Sequence, residues 1–254
     1  MTDGGWGVGW GISWPVDRRI APVHHLDLVF EPGGWPEMAP RRAEIEAHFA
    51  RRAAGNPHLW NGPVLLLRDY AFHGGSLSGR FRQTDFAAFT FWRDTGWRDQ
   101  GLVNAFALAA IEGSDGGFVL GVMGPHTASA GRTYFPGGTP DPSDITPDGR
   151  VDLHASMLRE LLEETGLSPA DIARDAGFTG IFEGPRVALP GRLVFDAPAD
   201  ALAARIRAFL AREERPELAD VAVVQSEADI TGQMAPFAVD YMRARWAGRD
   251  AAAP

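Results

Sequence analysis

The chain contains no cysteine and no lysine; all 24 of its basic residues are arginine. Without cysteine there is no thiol nucleophile, disulfide, iron-sulfur cluster or thiolate zinc site, as suits a reducing compartment. Without lysine no Schiff base forms and no Walker-A phosphate loop can be completed. No apolar run approaches the roughly 18 residues that a membrane helix needs. The opening, MTDGGWGVGWGISWP, has neither a basic leader nor a continuous apolar core. It is not expected to be a secretory signal, and the expected setting is cytoplasmic with no membrane partner. Positive charge is also scarce: the net charge is −9, and no arginine run is interleaved with aromatics. Such a field repels phosphate polymers, so nucleic acid is not an expected partner. A small polyanion remains compatible if divalent cations on local carboxylates reverse the sign at the site.

What is present is an ordinary soluble composition, with 254 residues, 45% apolar and 22% charged, enough for one large domain or a modest domain with an extension. The first fifteen residues hold Trp6, Trp10 and Trp14 among several glycines, which suggests aromatic anchors on a neighbouring surface. His24 to Phe30 alternates like a strand, and Pro36 to Ala54 reads as an amphipathic helix stopped by Gly55. Pro63 to Tyr70 and Gly79 to Trp92 read as strand or mixed material about a turn at Gly74-Gly75. Asn104 to Glu112 and Gly117 to Met123 bracket Gly-Ser-Asp-Gly-Gly, a hairpin pattern. A helix follows from Val151 to Thr165, then strands at Phe178 to Phe182 and Arg192 to Phe195, a helix from Asp200 to Arg212 and a strand at Val221 to Gln225. Helices mixed with hairpins favour an α+β fold. The division expected is an N-terminal extension or accessory subdomain over 1–100 and a main domain over 101–254.

The helix ending at Gly166 carries the chemistry. Glu160, Glu163 and Glu164 stand at i, i+3 and i+4, so three carboxylates share one face about 5–6 Å apart. Arg159 relieves that crowding only in part. Hard divalent cations such as Mg²⁺ take carboxylate oxygens and keep waters for substrate phosphates, which would suit the cluster better. Upstream, Phe135-Pro136-Gly137-Gly138 is a turn whose glycines let main-chain groups approach a ligand closely.

Phe-Pro-Gly-Gly followed at loop distance by Arg-Glu-Leu-Leu-Glu-Glu-Thr-Gly-Leu resembles the box of the Nudix hydrolases. The resemblance covers about thirty residues. It implies an α/β/α sandwich with a mixed sheet, and Mg²⁺- or Mn²⁺-dependent cleavage of the diphosphate bond in a nucleoside diphosphate linked to another moiety. By the same resemblance Glu160, Glu163 and Glu164 match the metal-binding glutamates, Arg159 the arginine that orients one of them, and Gly138 the glycine whose carbonyl faces a metal. Glu163 is read as metal ligand or as helper in deprotonating the attacking water. Glu183, Glu217 and Glu227 are further candidates for the base. Two features depart from the pattern. Val151 stands where the family has a glutamate, with Asp152 beside it, so either Asp152 substitutes after a local shift or fewer carboxylates suffice. The loop from Gly138 to Val151 is also longer than usual, and with the upstream strings NPHLWNGPVLLLRDY and TDFAAFTFWRDTGW this is similar to the subgroup that hydrolyses uridine diphosphate sugars.

Substrate contacts are expected from Arg132, which forks to phosphate, from Tyr134, whose face can stack a base, and from Gly137. One or two of Trp60, Phe72, Phe89, Phe91, Trp92 and Trp97 would suffice for a pocket wall, the rest being core. His24 and His25, adjacent on a strand, point apart and suit no shared ion. His154 suits a supporting role beside the helix. A rival function is a catalytically weak Nudix-fold module that senses a nucleotide metabolite, motivated by Val151.

Overall fold

The computed structural model describes residues 19–97 and 101–250. The Trp-rich opening lies outside the described residues. Two short strands, β1 (Arg19–Val23) and β2 (His25–Phe30), lead through a 3-10 turn at Pro36–Arg41 into helix α1 (Arg42–Gly55). A long hairpin follows, β3 (Pro63–His73) and β4 (Ser76–Asp85), turning at Gly74 and Gly75, both at positive φ. Helix α2 (Phe86–Asp94) begins directly after β4 because the Asp85 carboxylate accepts the Ala88 N–H as an N-cap.

The centre of the molecule is β5 (Leu102–Glu112), buried at every position. Successive side chains of a strand point to opposite faces, so such burial means that both faces are covered. Val103, Ala105, Ala107, Ala109 and Ile111 pack with α3 (Leu153–Thr165) and α4 (Ala199–Leu210) through Met157, Leu161, Leu202 and Ile206. Phe106, Leu108 and Ala110 pack with Phe237, Tyr241 and Met242 of α5 (Pro236–Asp250) on the other side. The fold is therefore α+β, a sheet between helical layers.

The remaining strands are β6 (Phe118–Met123), β7 (Thr133–Tyr134), β8 (Ile172–Glu183), β9 (Arg186–Phe195) and β10 (Leu218–Val224). Among the described residues the main path of the sheet runs β1-β8-β9-β5-β3-β4-β2, and β6 joins β5 to β7 and β10. β5 with β9 and β2 with β4 are parallel, whereas β1 with β8 and β3 with β5 are antiparallel. Strands from before residue 98 are thus hydrogen-bonded to strands from after residue 101. On β3 the same two-residue period sends Leu65 and Leu67 into the central core, and Val64 and Leu66 into a second core with Ile45, Ala88, Phe91 and Trp92.

Several expectations change. The helix read from Pro36 splits, because Pro40 supplies no N–H and its ring opposes a regular helix there. Gly79 to Trp92 resolves into the end of β4 and α2. The hairpin of β5 and β6 is real but short, pairing only Ile111 with Val119 and Glu112 with Phe118. His24 lies between strands, where its N–H and that of His25 both donate to Gly75 O. β1 and α5 were not expected. Among the described residues no helix is long and apolar enough to cross a membrane.

Candidate active site

After β7 the chain lies across the sheet as Phe135-Pro136-Gly137-Gly138. Ala109 N–H donates to Pro136 O and Leu65 N–H to Pro140 O, each at 2.7 Å, pinning the loop to β5 and β3. Phe135 is buried with its ring edge-to-face against Phe118 and Tyr241. Gly137 has φ of 143°, and a Cβ on it would lie 2.4 Å from Ala107 O, so only glycine fits. A Cβ on Gly138 would lie 3.9 Å from the Glu160 carboxylate. The glycine pair thereby forms the floor on which the acidic face of α3 rests.

Helix α3 is fixed at both ends. Asp152 Oδ1 accepts the N–H groups of His154 and Ala155 at 3.1 and 2.9 Å, and Gly166 closes the helix in the left-handed conformation. Leu153, Met157 and Leu161 face the core, which turns Glu160 and Glu164 toward the glycine loop. Arg159 sits among acids: Nη1 donates to Glu160 Oε1 at 2.8 Å and reaches Glu163 Oε2 at 3.4 Å, while Nη2 donates to Asp144 Oδ1 at 3.0 Å.

That last contact lies close to Val151, whose neighbour Asp152 donates its N–H to Asp144 O at 2.9 Å. Val151 is a core residue, and Asp152 caps the helix, its Oδ1 accepting two backbone N–H groups. Asp144, from the long loop, is buried and meets Arg159. Its second oxygen accepts the Asp141 N–H at 3.0 Å, closing a capping box around Pro142–Asp144. The sequence does hold a signal for this residue, since Asp141-Pro-Ser-Asp144 is a capping-box spacing with proline at the first position of the turn.

The carboxylates are electrostatically loaded. Burial pushes the Glu160 carboxyl up to about 7 against the pull of Arg159, with Glu217, Glu163 and Asp144 adding to the rise. Burial, then Glu217 and Glu160, hold Glu164 well above the ordinary range, although the Gly137 N–H donates to it. Glu217, from the chain entering β10, is raised by loss of solvation and by Glu163, against the opposing influence of His126. Glu217 is therefore brought to the site. Glu183 pairs instead with Arg186 at 2.6 Å, and Glu227 pairs at the surface with Arg243.

Among the described residues no three His, Asp or Glu side chains are gathered as a ready metal cage. The donor set nonetheless fits a hard divalent cation. Its members are carboxylates that raise one another's proton affinity, and Glu164 Oε2 is buried with no hydrogen-bond partner. A buried orphan acceptor in an acidic cluster calls for a positive ligand.

The likeness of this chain to known proteins lies among solved structures and is distant. No protein-family profile matches the chain, and no curated protein does. Among the solved structures similar to it is a Nudix hydrolase. This is RenU from M. smegmatis, 17% identical over 59% of this chain and 86% of its own, with a TM-score of 0.32. The MutT protein from Methanosarcina mazei Go1 is 17% identical over 57% of this chain and 92% of its own, with a TM-score of 0.35.

A cavity of about 710 Å³ opens against the glycine loop, and Gly137, Gly138, Arg132 and Tyr134 all line it. Tyr134 is half-buried and holds its hydroxyl proton firmly, chiefly because that end of the ring is withdrawn from solvent. Of the aromatic stretch, Phe89 and Trp97 line the cavity, Phe91 and Trp92 belong to the second core, Phe72 packs on Phe182, and Trp60 is exposed. His154 is tied to Asp175 at 2.6 Å. Arg52, Arg93 and Arg186 line the cavity too, and sequence reading missed them because they come from segments distant in the chain.

Proposed function

We propose that this chain is a Nudix-type hydrolase that uses Mg²⁺ or Mn²⁺ to cleave, with water, the diphosphate bond of a nucleoside diphosphate linked to another moiety. The observation that carries the reading is the convergence of Glu160 and Glu164 on Gly137-Gly138, with one Glu164 oxygen buried and unpartnered. A diphosphate repels hydroxide, so its hydrolysis needs its charge neutralised, a nucleophile generated and the two held in line. A divalent cation, when bound, supplies Lewis-acid neutralisation and lowers the pKa of water. Glu160, Glu163 and Glu164, with the Gly138 carbonyl, would hold it.

The chain's own groups do the rest. Arg159 fixes the Glu160 carboxylate through a 2.8 Å hydrogen bond, and Asp144 fixes Arg159. The Gly137 N–H orients Glu164. Glu163, exposed, and Glu217, with its raised proton affinity, are the carboxylates suited to accept the proton of the attacking water. The products are a nucleoside monophosphate and a phosphorylated remainder. The long loop between Gly138 and Val151 makes uridine diphosphate sugars the first substrates to assay. Asp144, by meeting Arg159 where Val151 cannot, supports the enzyme reading over the sensor.

The test is phosphate-product detection on uridine diphosphate sugars, ADP-ribose, NADH and coenzyme A with Mg²⁺ or Mn²⁺, beside Glu164→Gln. Metal-dependent cleavage of one compound, lost in the variant, is expected. Silence across the panel, with one nucleotide still stabilising the Glu164→Gln variant, would replace the enzyme by a binding module.

A further inference from the structure

A second cavity, of about 390 Å³, shares no lining residue with the one beside the glycine loop. It sits where the 3-10 turn at Pro36–Arg41 and the start of α1 cover the open end of the β3–β4 hairpin. Trp35, Met38, Ile45 and Pro63 give it apolar walls, and Ala88 of α2 closes it. The charges at its rim are already balanced. Arg42 donates to Asp85 at 2.5 Å and to Glu46 at 3.0 Å, and Asp85 also caps α2. Nothing there asks for an ion.

The unsatisfied group is the Trp35 indole. Trp35 is 8% exposed, and its N–H is buried with no hydrogen-bond partner among the described residues. An indole nitrogen donates only, and a buried tryptophan ordinarily finds an acceptor for it. The size of the cavity points beyond one water, since small-molecule pockets run from roughly 300 to 1,000 Å³ and a water takes up about 30 Å³ of liquid.

Trp35 is also the near end of an aromatic chain. Its ring stands edge-on to Trp92 at 5.5 Å, and Trp92 stands edge-on to Trp97 at 4.8 Å. Trp97 lines the first cavity, where it holds φ 54°, a conformation that surrounding packing must maintain in a residue other than glycine. Helix α2 has a side in each cavity, Ala88 in the second, Phe89 and Arg93 in the first.

We propose that the second cavity is a binding site for a small neutral molecule with an apolar body and one carbonyl oxygen, which accepts the Trp35 indole N–H. The apolar body replaces water against Met38, Ile45 and Pro63, and the carbonyl meets the unpaired donor. Once bound, the molecule braces Trp35 against Trp92 and so acts on the first cavity through Trp97. The proposal stands apart from the hydrolase reading, because it uses no residue of the acidic face or the glycine loop.

The experiment is ¹⁵N–¹H spectroscopy of the tryptophan indoles in the full chain, titrated with benzamide, cyclohexanone, benzoate and toluene. Trp35→Phe and Trp97→Phe identify the two signals by their loss. Benzamide or cyclohexanone is expected to move the Trp35 signal, and to bind about fivefold or more tightly than toluene, which lacks the acceptor, and than benzoate, which adds a charge. Trp35→Phe keeps an aromatic ring and deletes the donor, so saturation transfer to the probe should show carbonyl binding reduced to the level of toluene. Ala39→Phe fills the cavity from its exposed rim and should abolish the Trp35 shift, with thermal midpoints recorded to confirm that both variants fold. A Trp35 signal unmoved by both carbonyl probes, with or without a bound water on the indole, overturns the proposal. So does toluene or benzoate binding as tight as theirs, or a shift that survives in folded Ala39→Phe. A Trp97 signal that stays still while the Trp35 signal moves overturns the link to the first cavity.

Discussion

Replacing Glu160 by glutamine should make the metal-free protein more stable. Glu160 is held against Gly138 and Arg159, with Glu217, Glu163 and Asp144 around it, and burial lifts its carboxyl from 4.5 to about 7. A carboxyl whose proton affinity rises on folding favours the folded state while both states are protonated. That advantage is lost as the pH climbs from the unfolded value near 4.5 through the folded value near 7. A shift of this size corresponds to ~3 kcal/mol of stability withheld at pH 8 and about 1 kcal/mol at pH 5. Glutamine carries no charge to desolvate, and its amide oxygen still accepts from Arg159. For a chain of this length ~3 kcal/mol is about 6–12 °C in Tm. Thermal unfolding of parent and Glu160→Gln in EDTA at pH 5 and pH 8, repeated at pH 8 with Mg²⁺, reads the effect. The variant should gain at pH 8, gain much less at pH 5, and lose the Mg²⁺-induced rise that the parent shows. A variant no more stable than the parent at pH 8, or equally favoured at both pH values, would refute the argument that Glu160 is a destabilised carboxylate kept for a cation.

The two acids beside Val151 should separate cleanly. Asp144→Asn loosens Arg159 and is expected to lower kcat about ten- to a hundredfold with KM little changed, because Arg159 positions Glu160 rather than substrate. Asp152→Ala removes only a helix cap, about 1 kcal/mol of stability, and should leave kcat near the parent value; equal losses of kcat in both variants would contradict this division. Gly137→Ala should be strongly damaging, since its Cβ meets a backbone oxygen of β5 at a positive φ. We expect a loss of more than ~2 kcal/mol in urea denaturation, and a variant as stable as the parent would show that the loop can shift.

Which parts of the molecule could be read from the sequence follows from how local their causes are. The α3 helix has a core stripe at Leu153, Met157 and Leu161, a cap at each end and a positive-φ glycine, all within a few turns, and its acidic face was visible at once. β5 was visible as a strand but not as the central one, because an unbroken apolar run does not say what covers each face. Arg52, Arg93 and Arg186 carry no local mark of a shared site in the sequence. Only the pairing of β3 with β5 and β5 with β9 brings their elements to one cavity. Glu217 was one of three candidate bases in the sequence, and long-range packing distinguishes it from Glu183 and Glu227, which already hold arginines. Asp144 shows the converse: its capping box was written locally, yet what its other oxygen touches depended on where a loop returned.

The pairing of β1 with β8 and of β3 with β5 has a consequence for any attempt to trim the chain. A fragment beginning near residue 101 would keep β8 and β5 but strip the strand partners from Phe178 to Phe182 of β8 and from Leu102 and Val103 of β5, and would uncover the apolar residues that β3 packs against. Open edges of that kind recruit strands from other molecules. Such a fragment should therefore fail by aggregation before it fails by lost chemistry, and a minimal version of this protein would have to be shortened from its loops.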